Sequence, residues 1–214
     1  MTDPSESIFE EADLVSVFPT FVWNFQLQDG SSTAINRQLG ALIAEQRQGL
    51  AALAECESWQ SSRALHDLDA CQGLVTAISA AAKNVLDFLR VGDDEVVITG
   101  CWANVNAPQA VHGMHSHPNN YLSGVYYLQT PAGADTINFH DPRAQTGIIR
   151  PPVTELTAHN TDQAVVRVRN GTLLMFPSYM QHSVSANVSA GERISVSFNI
   201  MFSSFTEQMS KPLW

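Results

Sequence analysis

Basic residues and cysteine are scarce in this sequence, and no long apolar run is present. Eleven Lys and Arg face 21 Asp and Glu, a formal net charge of −10 at pH 7. That balance argues against a surface built for nucleic acid or anionic lipid. No apolar stretch nears the roughly 20 residues a membrane helix needs. The segment Met1–Glu6 is acidic and lacks the basic-then-apolar pattern of a signal peptide, so a cytoplasmic protein is expected. The three cysteines, Cys56, Cys71 and Cys101, are widely spaced and form no CxxC. A thiolate zinc site and a disulfide framework are therefore not expected, and each cysteine reads as a small buried hydrophobe.

What is present suffices for a core. The 214 residues are 44% hydrophobic and 15% charged, a globular composition. All-β barrels and sandwiches often reach this length as one unit. A single domain over 1–214 is expected, with 1–94 supplying an extended segment and buttressing helices and 95–202 a jelly-roll, metal-binding core.

Periodicity orders the elements. Phe18, Phe21, Trp23 and Phe25 give Leu14–Leu27 β character, interrupted at Pro19. Ser31-Ser32 caps a predicted helix to about Ala54, with Ile35, Leu39, Leu42 and Ile43 at helical spacing. A polar loop, Glu55–Ser62, precedes a second predicted helix over Asp67–Leu89. Both helices are expected to cover one face of a sheet. From Glu95 the texture is that of strands: Val96–Thr99, Cys101–Asn106, Leu122–Gln129, Thr136–His140 and Arg193–Phe202. Asp141–Thr161 reads as loops and short strands. Asn170-Gly171, between Val165–Arg169 and Thr172–Phe176, predicts a hairpin. The sum is mainly β (α+β), a closed or two-sheeted barrel with N-terminal helices packed on one sheet.

The chemistry gathers on histidines. His115 and His117 are two residues apart, which on a strand places both on one face. His182, from a neighbouring strand, can complete a facial metal site with open positions. The lone histidines His66, His112, His140 and His159 read as structural or surface residues. The last strand has two faces, Arg193, Ser195, Ser197 and Asn199 on one, Ile194, Val196, Phe198 and Ile200 on the other. A surface strand explains this as polar-out. A cavity-facing strand explains it too, and a buried Arg193 then requires an anion, with a ligand carboxylate the natural partner.

In order, His115–Pro118, Ser123–Leu128, Asp141–Arg143, Phe176–His182 and Arg193–Asn199 form the blocks HxHP, SGVYYL, DPR, FP…H and RISxSFN. This order resembles the Fe(II)- and 2-oxoglutarate-dependent oxygenases, and most closely one subgroup of them, over about residues 95–202. The resemblance implies a double-stranded β-helix (jelly roll). It implies Fe(II) held by His115, His117 and His182, and 2-oxoglutarate as co-substrate with its far carboxylate on Arg193 and Ser195. Hydroxylation of a C–H bond would follow. One of Tyr126 and Tyr127 should face the cavity. Tyr127 and Asn104 are taken as co-substrate neighbours, Arg143 and Asn199 as substrate neighbours, although a loop salt bridge explains Arg143 equally well. His117 departs from the pattern, because the superfamily usually has Asp or Glu there. Three neutral imidazoles could favour zinc; water could replace His117; Asp141 could fold back to the metal.

Three functions compete. The first is the 2-oxoglutarate oxygenase, acting on a small molecule or peptide. The second is a cupin-like three-histidine oxygenase without 2-oxoglutarate, in which Arg193 holds the substrate's own carboxylate. The third is a non-catalytic metal- or ligand-binding jelly roll. No nucleic-acid or membrane partner is expected, and open sheet edges make a homodimer plausible.

Overall fold

The computed structural model describes residues 11–92, 95–143, 151–157 and 159–206. Met1–Glu6 and part of Asp141–Thr161 lie outside them. The elements run β1 (Trp23–Gln26), α1 (Asp29–Gln46), β2 (Ser58–Gln60), α2 (Gln72–Leu89), β3 (Val96–Asn106), β4 (His112–His115), β5 (Leu122–Gln129), β6 (Thr136–His140), β7 (Gln163–Arg167), β8 (Thr172–Pro177), β9 (His182–Val184), β10 (Arg193–Phe202) and the short α3 (Ser203–Thr206).

Two antiparallel sheets form, one ordered β1-β8-β5-β10-β3-β2 and the other β4-β9-β6-β7. From β3 to β10 the chain winds between them, the double-stranded β-helix of a jelly roll. Period-2 alternation decides what each face touches. The apolar face of β10 (Ile194, Val196, Phe198, Ile200) meets Ile35, Leu39 and Ile43 of α1 and Leu74, Ile78 and Val85 of α2. Ile194 is partly buried; each of the others is buried and contributes roughly 1.5–3 kcal/mol. A second cluster, with Val125, Tyr127, Ile137, Phe139, Leu174 and Phe176, fills the space between the sheets. It packs beside the polar face of β10.

Several expectations are corrected. α1 begins at Asp29, so Ser31 and Ser32 lie in its first turn; Ser32 Oγ donates to the Asp29 carbonyl instead of capping. It ends at Gln46, not near Ala54, because Gly49 turns away with φ of +81°. Two 3-10 turns, Leu65–Asp67 and Asp69–Cys71, replace the start of the second helix. The expected polar loop holds an edge strand, β2, paired with β3. β3 is one strand of 11 residues, not two. Cys56 is exposed, whereas Cys71 and Cys101 are buried. Burial pushes the Cys101 thiol up to about 12.

The predicted hairpin does not form. Asn170-Gly171 does make a turn: the Thr172 N–H donates to the Arg169 carbonyl at 3.0 Å, and Gly171 takes φ of +81°. Yet β7 pairs with β6 while β8 pairs with β5 and β1. The turn is a corner between sheets. Asn170 Oδ1 accepts from Thr130 N and Oγ1, tying the corner to the end of β5.

Candidate metal centre

β4 and β9 pair with His115 opposite His182. His117 lies two residues past the end of β4, so strand alternation is not what aligns it. Its backbone N–H donates to the Ser178 carbonyl at 2.9 Å, which turns the chain back over β9. One ring nitrogen from each of the three histidines lies within 4.8 Å of the others. His117 Nε2 and His182 Nε2 are 3.4 Å apart. Two nitrogens at about 2.1 Å from one metal stand about 3.0 Å apart at a right angle and about 3.4 Å at a tetrahedral one, so the observed spacing lies within reach of one ion.

The tautomers are set by backbone carbonyls. His115 Nδ1 lies 2.8 Å from the Gly113 oxygen and His182 Nδ1 lies 3.0 Å from the Met180 oxygen. A carbonyl only accepts, so each Nδ1 carries the proton and each Nε2 offers a lone pair. Burial first, then neighbouring imidazoles, pull His117 down to about 3. Burial likewise pulls His182 down to about 4. Both are neutral at pH 7, the form that ligates.

Arg193 opens β10 opposite Asn106 and is 4% exposed. Its Nη2 donates to Asn106 Oδ1 at 3.1 Å, and its Nε is buried with no partner. Among the described residues no carboxylate pairs with it. Burial lowers its pKa, an effect Tyr127 partly offsets, but a guanidinium stays charged at neutral pH. A buried, half-satisfied cation is costly unless an anion joins it.

One cavity connects these groups. Asn104, Tyr127, Ser195, Arg193 and the three histidines all line it. Asn104 accepts from Gln60 Nε2 at 2.8 Å and donates to Ser197 Oγ at 3.0 Å. Tyr127 faces the cavity, and burial raises its phenol pKa. Tyr126 points to the helices, its hydroxyl donating to Asn36 Oδ1 at 2.8 Å. Asn199 is outside this lining; its Oδ1 accepts from Ser123 Oγ at 2.8 Å. Arg143 is exposed and binds Asp141 through Nε and Nη2 at 2.9 and 2.6 Å, on a separate surface depression. Asp141 thus lies outside the histidine group.

Sequence reasoning missed His112, Trp102, Asn106 and Ser197, which also line the cavity. His112 stacks on His115, ring centroids 4.4 Å apart and planes 14° from parallel. Residues three apart face opposite ways on a regular strand. A register shift between His112 and His115 turns both inward. The available signal was three histidines within six residues. His140 remains apart, its Nε2 2.9 Å from Ser183 Oγ.

Residues 100–199 match the family model described as "Putative 2OG-Fe(II) oxygenase". Over that segment the chain is similar to the 2-oxoglutarate/Fe(II) oxygenases. Solved oxygenases share the fold of this chain at low identity. The α-ketoglutarate-dependent carbocyclase SnoK of nogalamycin biosynthesis matches with a TM-score of 0.63 and 15% identity, over 91% of this chain and 89% of that one. A Pseudomonas putida prolyl-4-hydroxylase gives 0.59 and 15%, over 86% and 93%. HygX from Streptomyces hygroscopicus, with nickel and 2-oxoglutarate bound, gives 0.56 and 12%, over 86% and 83%. No curated protein sequence matches the chain.

The site's residues fit an iron ion and a dicarboxylate co-substrate. Three convergent imidazoles, two of them with the Nε2 lone pair fixed by a backbone carbonyl, suit a divalent ion, and the orphaned Nε of Arg193 suits a carboxylate. Among the described residues the group contains no carboxylate ligand.

Proposed function

We propose that the protein is an Fe(II)- and 2-oxoglutarate-dependent oxygenase that hydroxylates a small molecule or a peptide. The observation that carries this is the pairing of a convergent histidine triplet with a buried, partnerless Arg193 Nε in one cavity. His115, His117 and His182 hold the metal. Arg193 and Ser195 take the far carboxylate of the co-substrate, and Tyr127 and Asn104 border it. Arg143 and Asn199 are proposed to meet the substrate only indirectly, each being engaged by a neighbour.

Bound iron would activate dioxygen, the oxidant, with 2-oxoglutarate giving up two electrons as it is decarboxylated to succinate and the substrate giving up two more; the chain's residues do the rest. The Gly113 and Met180 carbonyls keep each Nε2 aimed inward. Tyr127, Ile137 and Val184 wall the cavity and limit water. Arg193 fixes the length and direction of the dicarboxylate.

A three-histidine oxygenase that ignores 2-oxoglutarate is the second reading, favoured by a histidine group that contains no carboxylate among the described residues. Release of CO2 from 1-labelled 2-oxoglutarate by the iron-loaded protein separates them. The first reading expects release above the iron-only rate; none would leave the second. Among the described residues no helix is long and apolar enough to cross a membrane. The acidic composition and free thiols support a cytoplasmic protein without a nucleic-acid partner. Residues 1–94 would buttress and 95–202 would hold the metal within one domain, and the outer strands leave room for a homodimer.

A further inference from the structure

Arg63 follows β2, where its carbonyl accepts the Cys101 N–H at 2.8 Å and Ala64 bridges to Cys101. Its backbone is thereby fixed to β3. The exposed guanidinium lies over the Trp102 ring, 4.9 Å from the centroid. Trp102 is 5% exposed, lines the cavity and stands 6.0 Å from the His117 ring. A cation–π contact therefore stations a positive charge beside the metal ligands, on the His117 side. Arg193 serves the other side, where its charge is felt by His112. Among the described residues no carboxylate pairs with Arg63. Acidic residues outnumber basic ones here by 21 to 11, yet this guanidinium is held without one.

We propose that Arg63, seated on Trp102, is the docking point for a carboxylate carried by the substrate. The assignment rests on the oxygenase reading for the location of the reacting centre. A guanidinium presents a planar fork that matches a carboxylate through two parallel hydrogen bonds. Contact with the indole face holds the guanidinium in place, and the side chain remains exposed. Arg63, Arg193 and a bound divalent ion together make the cavity positive, which disfavours a cationic substrate. One fork meets one singly charged carboxylate.

The test uses the full chain loaded with manganese(II) and 2-oxoglutarate, which occupies the metal and Arg193. Acetate is the probe and acetamide its neutral control. Methyl-proton relaxation by the bound manganese is the readout. Acetate should relax at least threefold more than acetamide. Arg63→Gln should erase the difference, and Arg63→Lys, which keeps the charge and loses the fork, should retain only part of it. Equal relaxation of the two probes, or unchanged acetate relaxation in Arg63→Gln, overturns the proposal. Inorganic phosphate, followed by phosphorus relaxation, is the second arm; stronger Arg63-dependent relaxation than acetate's would replace the carboxylate with a phosphate. The co-substrate reading fails separately, if the wild-type iron protein shows no visible band with 2-oxoglutarate.

Discussion

Arg193 carries a guanidinium that the folded chain satisfies on one side only. The position requires a fork and not merely a charge, so Arg193→Lys should weaken 2-oxoglutarate binding at least tenfold in calorimetry while iron stoichiometry stays at one per chain. The histidines give a matching prediction. His115→Ala and His182→Ala should each lower bound iron to near zero by elemental analysis, with the circular dichroism of the fold retained. His112→Ala should keep the iron, since His112 is outside the triplet. Iron lost equally in His112→Ala would redraw the ligand set. The HxH pair was legible as a site but not in its geometry. Alternation assumed a strand through His117, whereas β4 stops at His115 and the Ser178 carbonyl turns the chain. His112 was illegible because a one-residue register shift leaves no mark on residue types.

At the scale of elements, β10 was readable end to end because it alternates cleanly, and β5 because it is a short, β-prone run buried on both faces. β10 buries its apolar face under helices and its polar face in the cavity. Asn170-Gly171 was read correctly as a turn and wrongly as a hairpin. Turn chemistry fixes the local reversal and says nothing about which sheet receives the next strand. Gly124 has a tertiary reason. A Cβ there would overlap the Phe198 ring and lie 2.5 Å from the Leu174 carbonyl oxygen. Gly124→Ala should cost about 3 kcal/mol or more in urea unfolding, and a loss below about 1 kcal/mol would mean that Phe198 repacks freely. Arg47, capping α1, grips both oxygens of Glu192 at 2.9 Å, just before Arg193. The pair is partly exposed, at 19% and 34%, so solvent screens it. Arg47→Ala should lower Tm by roughly 2–4 °C, corresponding to about 1 kcal/mol.

Across the whole molecule, composition excluded a membrane helix and a basic surface, and the strand-rich second half announced a jelly roll. What composition could not give was the winding of β3 to β10 between two sheets, which depends on contacts far apart in sequence. The metal site ties β4 to β9 within the four-stranded sheet and takes in His117 beyond β4, a grouping that exists only in the folded chain, so metal should stabilise the fold as a whole. A divalent ion at 100 times its Kd adds about 2.7 kcal/mol. Chelation should therefore lower Tm by several degrees, and an unchanged Tm would mean that no ion bridges the histidines. The most direct measurement is anaerobic titration of the iron(II) protein with 2-oxoglutarate, following the weak visible band of the iron–keto-acid chelate. The band should saturate at one equivalent and be absent in Arg193→Ala, which still binds iron. Iron bound without any band, or a band undiminished in Arg193→Ala, would contradict the co-substrate role assigned to this cavity.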